Sequence, residues 1–261
     1  MTDKFLVMGN IVQRHKSILE LLEKEGYVRV QDLSKMFGVS EVTIRKDLKQ
    51  LEERKLLLKN HGSASTVGSL IHDRHIDEKE KVQVEEKRRI AAAASALVEP
   101  NDKIIIASGT TMFAFARAIN LTAPLTVITP SVKVSLLLSY KPNIEIIQLG
   151  GALRKSSASV IGPYAESLLD EMVCSKFFLS ADGIDMDIGI TTSNMAEAHL
   201  NQHMMRIAHE VIVLADSSKF GRRGFGKICN INQVHRIITD HDAPHNFIQI
   251  IEEMGIEITL V

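Results

Sequence analysis

Apolar residues in the first third of the chain recur at helical spacing in three short runs. Val12, Ile18, Leu19, Leu21 and Leu22 stand among charged residues from 12 to 25, which predicts an amphipathic helix that Gly26 ends. Tyr27-Val28-Arg29-Val30 is β-prone, and Leu33, Met36 and Phe37 predict a second helix. Gly38 can take the positive φ needed to leave that helix, and Ser40 is a favoured N-cap, so a third helix should start at Glu41. On it, Val42, Ile44, Leu48 and Leu51 recur near helical spacing for a core. Glu41, Thr43, Arg45, Lys46 and Lys49 are left to project outward. Leu56 to Gly62 reads as a short hairpin.

Further along, the pattern changes. After an Ala-rich helix from Arg89 to Leu97, β-rich apolar runs begin at Lys103, Leu125, Ile144, Lys176, Val211 and Arg236. Helix-like segments alternate with them at Phe113–Ile119, Val132–Leu138, Ala165–Val173 and Glu197–His209. Such alternation predicts an α/β domain with a largely parallel sheet and helices on both faces. Between the two patterns lies a polar, then charged stretch without a sustained apolar period. The expected organisation is therefore a head at 1–66, a linker at 67–80 and a body at 81–261.

Net charge over 261 residues is −1, which by itself says nothing about an anionic partner. Divided at the linker, residues 1–66 carry 12 Lys/Arg against 9 Asp/Glu, and the remainder 19 against 23. A mildly basic head on an acidic body results. With its turn, cap and hairpin, the polar and basic third helix is what a DNA major groove admits, with the hairpin as a wing. Two cysteines, Cys174 and Cys229, suggest neither a disulfide framework nor a zinc site, and are expected as buried thiols in a reducing cytoplasm. No signal sequence or membrane-length apolar run is evident, so the expectation is a cytoplasmic protein with no membrane partner.

In an open α/β sheet, ligands bind beyond the carboxyl ends of the strands. Those ends read Ser108-Gly109-Thr110-Thr111, Thr129-Pro130-Ser131, Leu149-Gly150-Gly151, Ser180-Ala181-Asp182-Gly183 and Asp216-Ser217-Ser218-Lys219. Gly109 lets backbone approach an anion, the neighbouring hydroxyls can donate, and the helix that follows points N–H groups at it. The lysine and spacing of a Walker A loop are absent. Gly150-Gly151 would let a strand end bend toward a ligand, while Asp182 and Lys219 offer an acceptor and a donor for sugar hydroxyls. Each also has a plain structural reading: a helix cap, a turn, a loop-holding carboxylate, or an Asp216–Lys219 ion pair. His199, His203 and His209 recur at helical spacing without carboxylate or cysteine partners, so no metal is expected.

These motifs resemble the DeoR family of bacterial transcription regulators over nearly the whole chain. The head matches through Arg14, Ile18 and Leu22, through Ser40-x-x-Thr43-Ile44-Arg45-Lys46-Asp47-Leu48, and through His61-Gly62-Ser63-Ala64. The body matches through Ser108 to Thr111, Leu149 to Gly151, Ile161-Gly162-Pro163, Ala181 to Asp185, Gly189 to Thr192 and Ala215 to Gly221. The resemblance implies a winged helix-turn-helix on a domain similar to ribose-phosphate isomerase, sugar-phosphate deaminase and CoA-transferase-like folds. It also implies a repressor of a sugar-catabolism operon, a homo-oligomer (dimer or tetramer) on double-stranded operator DNA. Arg14, Ser40, Glu41, Thr43, Arg45, Lys46, Lys49, Lys59 and His61 are the expected DNA contacts.

A phosphorylated sugar is the expected effector, with no cofactor. Its expected contacts are Ser108, Gly109, Thr110, Thr111, Gly150, Gly151, Asp182, Gly183, Thr191, Glu197 and Lys219. The chain departs from the family pattern at Ser63, where a second glycine is common, and at Pro130, where asparagine is common. Pro130 removes a backbone donor from that strand end. The rival reading is a sugar-phosphate isomerase or deaminase with an accessory DNA-binding head, using Asp182, Glu197 and Lys219 as acid and base. No catalytic residue is assigned on the leading reading.

Overall fold

A computed structural model of the chain describes residues 11–25, 27–54, 56–60, 63–66 and 74–261. It separates into two compact units, 1–71 and 72–261. The first contains α1 (Ile11–Glu25), β1 (Tyr27–Arg29), α2 (Val30–Phe37), α3 (Glu41–Glu53), β2 (Leu57–Asn60) and β3 (Ser63–Thr66). The strands form an antiparallel sheet in the order β1-β3-β2, with Val28 opposite Ala64 and Lys59 also opposite Ala64 from the other side. Helix-turn-helix and hairpin wing are thus both present.

Gly38 ends α2 with φ 64°, its N–H on the Ser34 carbonyl. Ser34 Oγ also donates to the Val39 carbonyl at 2.6 Å, so one serine fixes the turn from two sides. Ile18, Leu22, Val30, Leu33, Ile44, Leu48, Leu51 and Leu57 are buried together beneath it. Val42 is not among them. It is 58% exposed, because its place on α3 turns it toward solvent with Arg45, Lys46 and Lys49. The buried position that apolar periodicity passes over is Asp47.

The second unit carries a seven-stranded parallel sheet, ordered β15-β14-β12-β9-β4-β5-β6. Its strands are β4 (Lys103–Ile106), β5 (Leu125–Thr129), β6 (Ile144–Gln148), β9 (Cys174–Ser180), β12 (Ala208–Leu214), β14 (Arg236–Thr239) and β15 (Glu257–Leu260). Ile104, Ile105, Ile106, Phe177, Phe178, Val213 and Leu214 are wholly buried, as a sheet covered on both faces requires. From β4 the chain runs outward to β6, then returns to β9 and runs the other way to β15. Order therefore reverses between β4 and β9, and helices cover both faces of the sheet. On these faces α6 (Thr110–Ala118) packs against α5 (Val84–Ser95) and α7 (Val132–Leu138), and α8 (Pro163–Leu169) packs against α9 (Met195–Arg206).

Two small antiparallel sheets, β7 (Ala152–Arg154) with β8 (Ser159–Ile161), and β10 (Gly183–Asp185) with β11 (Gly189–Thr192) and β13 (Gly226–Cys229), are additions that the alternation does not predict. The same holds of α10 (His245–Glu253) and β15. The expected linker is also shorter at its far end. Residues 76–80 form α4 (Ile76–Glu80) within the second unit, with Ile76 buried; residues 67–73 lie outside the described residues. Cys174 and Cys229 are buried free thiols, and burial pushes them up to about 11 and about 12.

Exposure separates two neighbouring positions of α3. Ile44→Ala should destabilise the head by about 2–5 kcal/mol, whereas Val42→Ala should fall within about 0.5 kcal/mol, read as urea-unfolding midpoints.

Candidate nucleic-acid interface and ligand pocket

The outward face of α3 begins at its cap. Ser40 Oγ accepts the Thr43 N–H at 3.2 Å and lies 3.0 Å from Thr43 Oγ1, which leaves the first turn well ordered. Arg45, Lys46 and Lys49 are exposed, and Glu41 and Thr43 half-buried. Arg45 Nη2 donates to Glu41 Oε2 at 2.7 Å, an exposed i,i+4 pair that aligns the guanidinium along the helix. On the wing, the Lys59 side chain is exposed while its backbone N–H is held by Glu52 Oε1 at 3.0 Å, tying β2 to α3. His61 lies outside the described residues.

Arg14 corrects the expected set. It is 6% exposed and grips Asp47 with two bonds, Nε to Oδ2 at 2.5 Å and Nη2 to Oδ1 at 3.0 Å. Its guanidinium is committed inside the head and is not a surface contact. His15 Nε2 stands 3.3 Å from the same carboxylate. The cluster joins α1 to the middle of α3, setting the angle at which the outward face is presented. Breaking a buried pair by removing one member leaves an uncompensated charge.

In the second unit, a pocket opens where strand order reverses. Ser108 and Gly109 follow β4, Ser180 ends β9, and Ala181 and Asp182 follow it; all five line the pocket. Thr192, Glu197 and Asn201 come from the end of β11 and from α9, and Arg154, Ser156 and Ser157 from the β7–β8 hairpin. Arg74, Ile76 and Lys79 close the wall from α4 and the residues just before it. The wall thus carries three cations and two carboxylates among hydroxyls.

Asp182 is its electrostatic centre. Lys79 Nζ donates to Oδ1 at 2.8 Å, while the Ser193 N–H at 3.0 Å and Thr192 Oγ1 at 3.2 Å serve Oδ2. Burial pushes this carboxyl up, but Lys79, Lys219 and the Ser193 N–H outweigh it and hold Asp182 well below the usual carboxylate range. Arg154 pairs with Glu197 at 3.0 Å, both side chains nearly buried.

Helix α4, which brings Lys79, is itself strapped down. The Ile76 N–H donates to the Ser156 carbonyl at 2.7 Å, and Lys133 reaches Asp77 at 2.9 Å and Glu80 at 3.1 Å. Lys87 donates to the carbonyls of Lys79 and Val82 at 2.6 and 2.5 Å, burial lowering its ammonium to about 8.

Four predicted effector residues, Ser108, Gly109, Asp182 and Glu197, therefore meet in one place. The others do not. The Thr110 and Thr111 side chains are buried in the first turn of α6, which leaves their backbone N–H groups as what that turn offers a ligand. Gly150 and Gly151 lie outside the wall, and a Cβ on Gly151 would stand 2.6 Å from the Ile161 carbonyl. Gly183 packs against the Arg222 carbonyl. Thr191 is fully buried, its hydroxyl donating to the Gly183 carbonyl at 3.1 Å and accepting from the Gly224 N–H at 2.8 Å. Gly151, Gly183 and Thr191 thus have packing roles.

Lys219 lies 3.9 Å from Asp216 and outside the wall, and its charge still acts on Asp182. Pro130 is likewise off the wall; its carbonyl accepts the Val160 N–H at 2.9 Å. Arg74, Lys79, Arg154 and Asn201 are wall residues that strand-end reasoning misses, because they arrive on α4, a hairpin and a helix flank.

The architecture defines a two-unit chain, a winged helix-turn-helix joined to an α/β unit with a polar pocket at its strand ends. A family model described as the DeoR-like helix-turn-helix domain matches residues 14–69, and one described as the DeoR C terminal sensor domain matches 82–241. The chain belongs to the DeoR family. It is 36% identical over 251 residues to an uncharacterized HTH-type transcriptional regulator, YulB, of Bacillus subtilis, covering 96% of this chain and 97% of that one. It is 31% identical over 248 residues to the glycerol-3-phosphate regulon repressor of Escherichia coli, covering 95% and 98%. Among solved structures it is similar to ribose 5-phosphate isomerase A of Methanocaldococcus jannaschii, with TM-score 0.39 and 19% identity over 51% of this chain and 53% of that one.

Two measurements probe these charges. Asp47→Ala should cost about 3–5 kcal/mol of head stability by stranding Arg14, read by chemical denaturation. For Asp182, the folded carboxyl is more acidic than the unfolded one, so its contribution is complete above the unfolded value and fades as pH falls toward the folded one. The stability gap between the natural chain and Asp182→Asn should accordingly narrow from about pH 6 to about pH 3.

Proposed function

We propose that this chain is a cytoplasmic, homo-oligomeric repressor of a carbohydrate-catabolism operon, whose hold on operator DNA is set by a phosphorylated sugar in the strand-end pocket. One observation carries the reading: Arg74 and Lys79, which follow directly on the stretch joining the two units, are themselves walls of that pocket. A ligand there acts on residues that continue the chain into the head.

In the head, the exposed face of α3 enters the major groove. Arg45 reads a guanine edge, Thr43 contacts a neighbouring base, and Val42 meets a thymine methyl. Lys46, Lys49 and the wing's Lys59 and His61 contact phosphates or the minor groove, and Ser40 and Glu41 hold the first turn and Arg45 in position. Paired heads on repeated half-sites raise the affinity of contacts that are individually weak.

In the body, the phosphate lies against Arg74, Lys79 and the Ser108-Gly109 end of α6, whose N–H groups favour an anion. A phosphate competes with Asp182 for Lys79, and α4 shifts with that lysine. Only such a difference in ligand affinity between two arrangements can move the heads. Binding without turnover is the reading that the ion-paired carboxylates support, with Lys79 on Asp182 and Arg154 on Glu197.

The reading is tested by gel-shift titration on DNA flanking the gene. Arg45→Ala should weaken specific binding by about 1–3 kcal/mol and binding to unrelated DNA far less. Among D-fructose 6-phosphate, D-ribose 5-phosphate and sn-glycerol 3-phosphate, at least one should change operator affinity, and Lys79→Met should abolish that response while retaining ligand-free binding. A Lys79→Met chain that responds normally defeats the coupling. Turnover of these compounds would turn the assignment to an enzyme.

A further inference from the structure

Both carboxylates of the pocket wall are already matched. Asp182 accepts from Lys79, Thr192 and the Ser193 N–H. Glu197 Oε1 accepts from Arg154 at 3.0 Å and Ser159 at 3.4 Å, and Oε2 lies 3.3 Å from Thr192 Oγ1, whose single proton it shares with Asp182. Asn201 differs. It is 7% exposed on α9, and its Nδ2 donates to the Glu197 carbonyl one turn back at 2.8 Å. Its Oδ1 is buried and has no hydrogen-bond partner among the described residues.

The orientation of this amide is settled by that bond, since flipping it would press two oxygens together. The orphan is therefore an acceptor. Leaving a buried acceptor unpaired is costly, and the cost is relieved by any group that brings it an O–H. A fully ionised tetrahedral anion such as sulfate cannot do so, because all its oxygens are acceptors. An ammonium gains little, because the carboxylate nearest in sequence on α9, Glu197, is neutralised by Arg154. The wall is thereby divided: Arg74 and Lys79 suit an anionic end, and Asn201 suits a neutral donor.

We infer that Asn201 is the specificity residue of this pocket, accepting through Oδ1 a hydroxyl of the ligand's carbon chain, so that the pocket takes a hydroxylated phosphate ester in preference to a bare tetrahedral anion. The inference rests on the pocket being the effector site, and the two can fail separately. A sugar phosphate fills the orphan acceptor and the cationic end together; sulfate, which has no O–H at neutral pH, fills only the cationic end. Losing the acceptor should weaken the first ligand and spare the second.

The test is calorimetric titration of the full chain with D-fructose 6-phosphate, D-ribose 5-phosphate, D-glucosamine 6-phosphate and sulfate. The natural chain should bind the phosphate of a neutral sugar more tightly than sulfate. Asn201→Leu should lower that sugar-phosphate affinity about tenfold while leaving sulfate within about twofold. Asn201→Ala, a milder change at a helical position, should give the same split and serves if the leucine variant does not fold. Equal losses for both ligands, no loss for either, or a preference for the aminosugar phosphate would overturn the role of Asn201. If the natural chain binds none of the four compounds, the effector-site reading itself falls.

Discussion

The Lys79–Asp182 pair is the constraint on which the second unit's behaviour depends. It joins the carboxyl end of β9, at the reversal of strand order, to the first helix after the joining stretch. A carboxylate at that depth is tolerable only because a cation and fixed N–H and O–H donors meet it. The supply of Lys79 from α4 makes the pocket's electrostatic balance conditional on where α4 lies. Binding chemistry and chain geometry are thus carried by one side chain. The ties from Ser156, Lys133 and Lys87 give α4 a defined place.

The head uses a buried ion pair differently. Arg14 and Asp47 have no anion to exchange, and their geometry is bidentate and enclosed. Such a pair contributes little net stability compared with apolar packing, yet it fixes orientation, because any rotation of α1 against α3 strands a charge. Orientation is what base reading needs: Arg45 and Val42 can address neighbouring base pairs only if the helix enters the groove at one angle. The body's pair is open to a ligand, and the head's is sealed.

Much of this was legible from residue order. The Gly38–Ser40 turn, the outward basic residues of α3, the wing, the parallel strands and the Ser108-Gly109 and Asp182 ends follow from periodicity and from small or polar residues closing apolar runs. What escaped reading has physical causes. Asp47 looks like a surface residue because its partner lies 33 positions away, and Arg14 looks like a DNA contact for the same reason. Helix α4 reads as linker because it is five residues long and buries one apolar side chain, Ile76. Val42 matches the apolar period yet lies at its edge, where exposure is decided by packing. Gly151, Gly183 and Thr191 resemble ligand contacts because close backbone packing and ligand approach both call for small residues.

The central claim is that ligand in the pocket acts on the segment from Arg74 to Val82. Amide hydrogen exchange of the full chain, with and without a sugar phosphate that alters operator binding, addresses it most directly. The account predicts a change in protection across residues 74–82, beginning with the Ile76 N–H that now bonds to Ser156. Unaltered exchange in that segment, alongside a ligand-induced change in operator affinity, would contradict it.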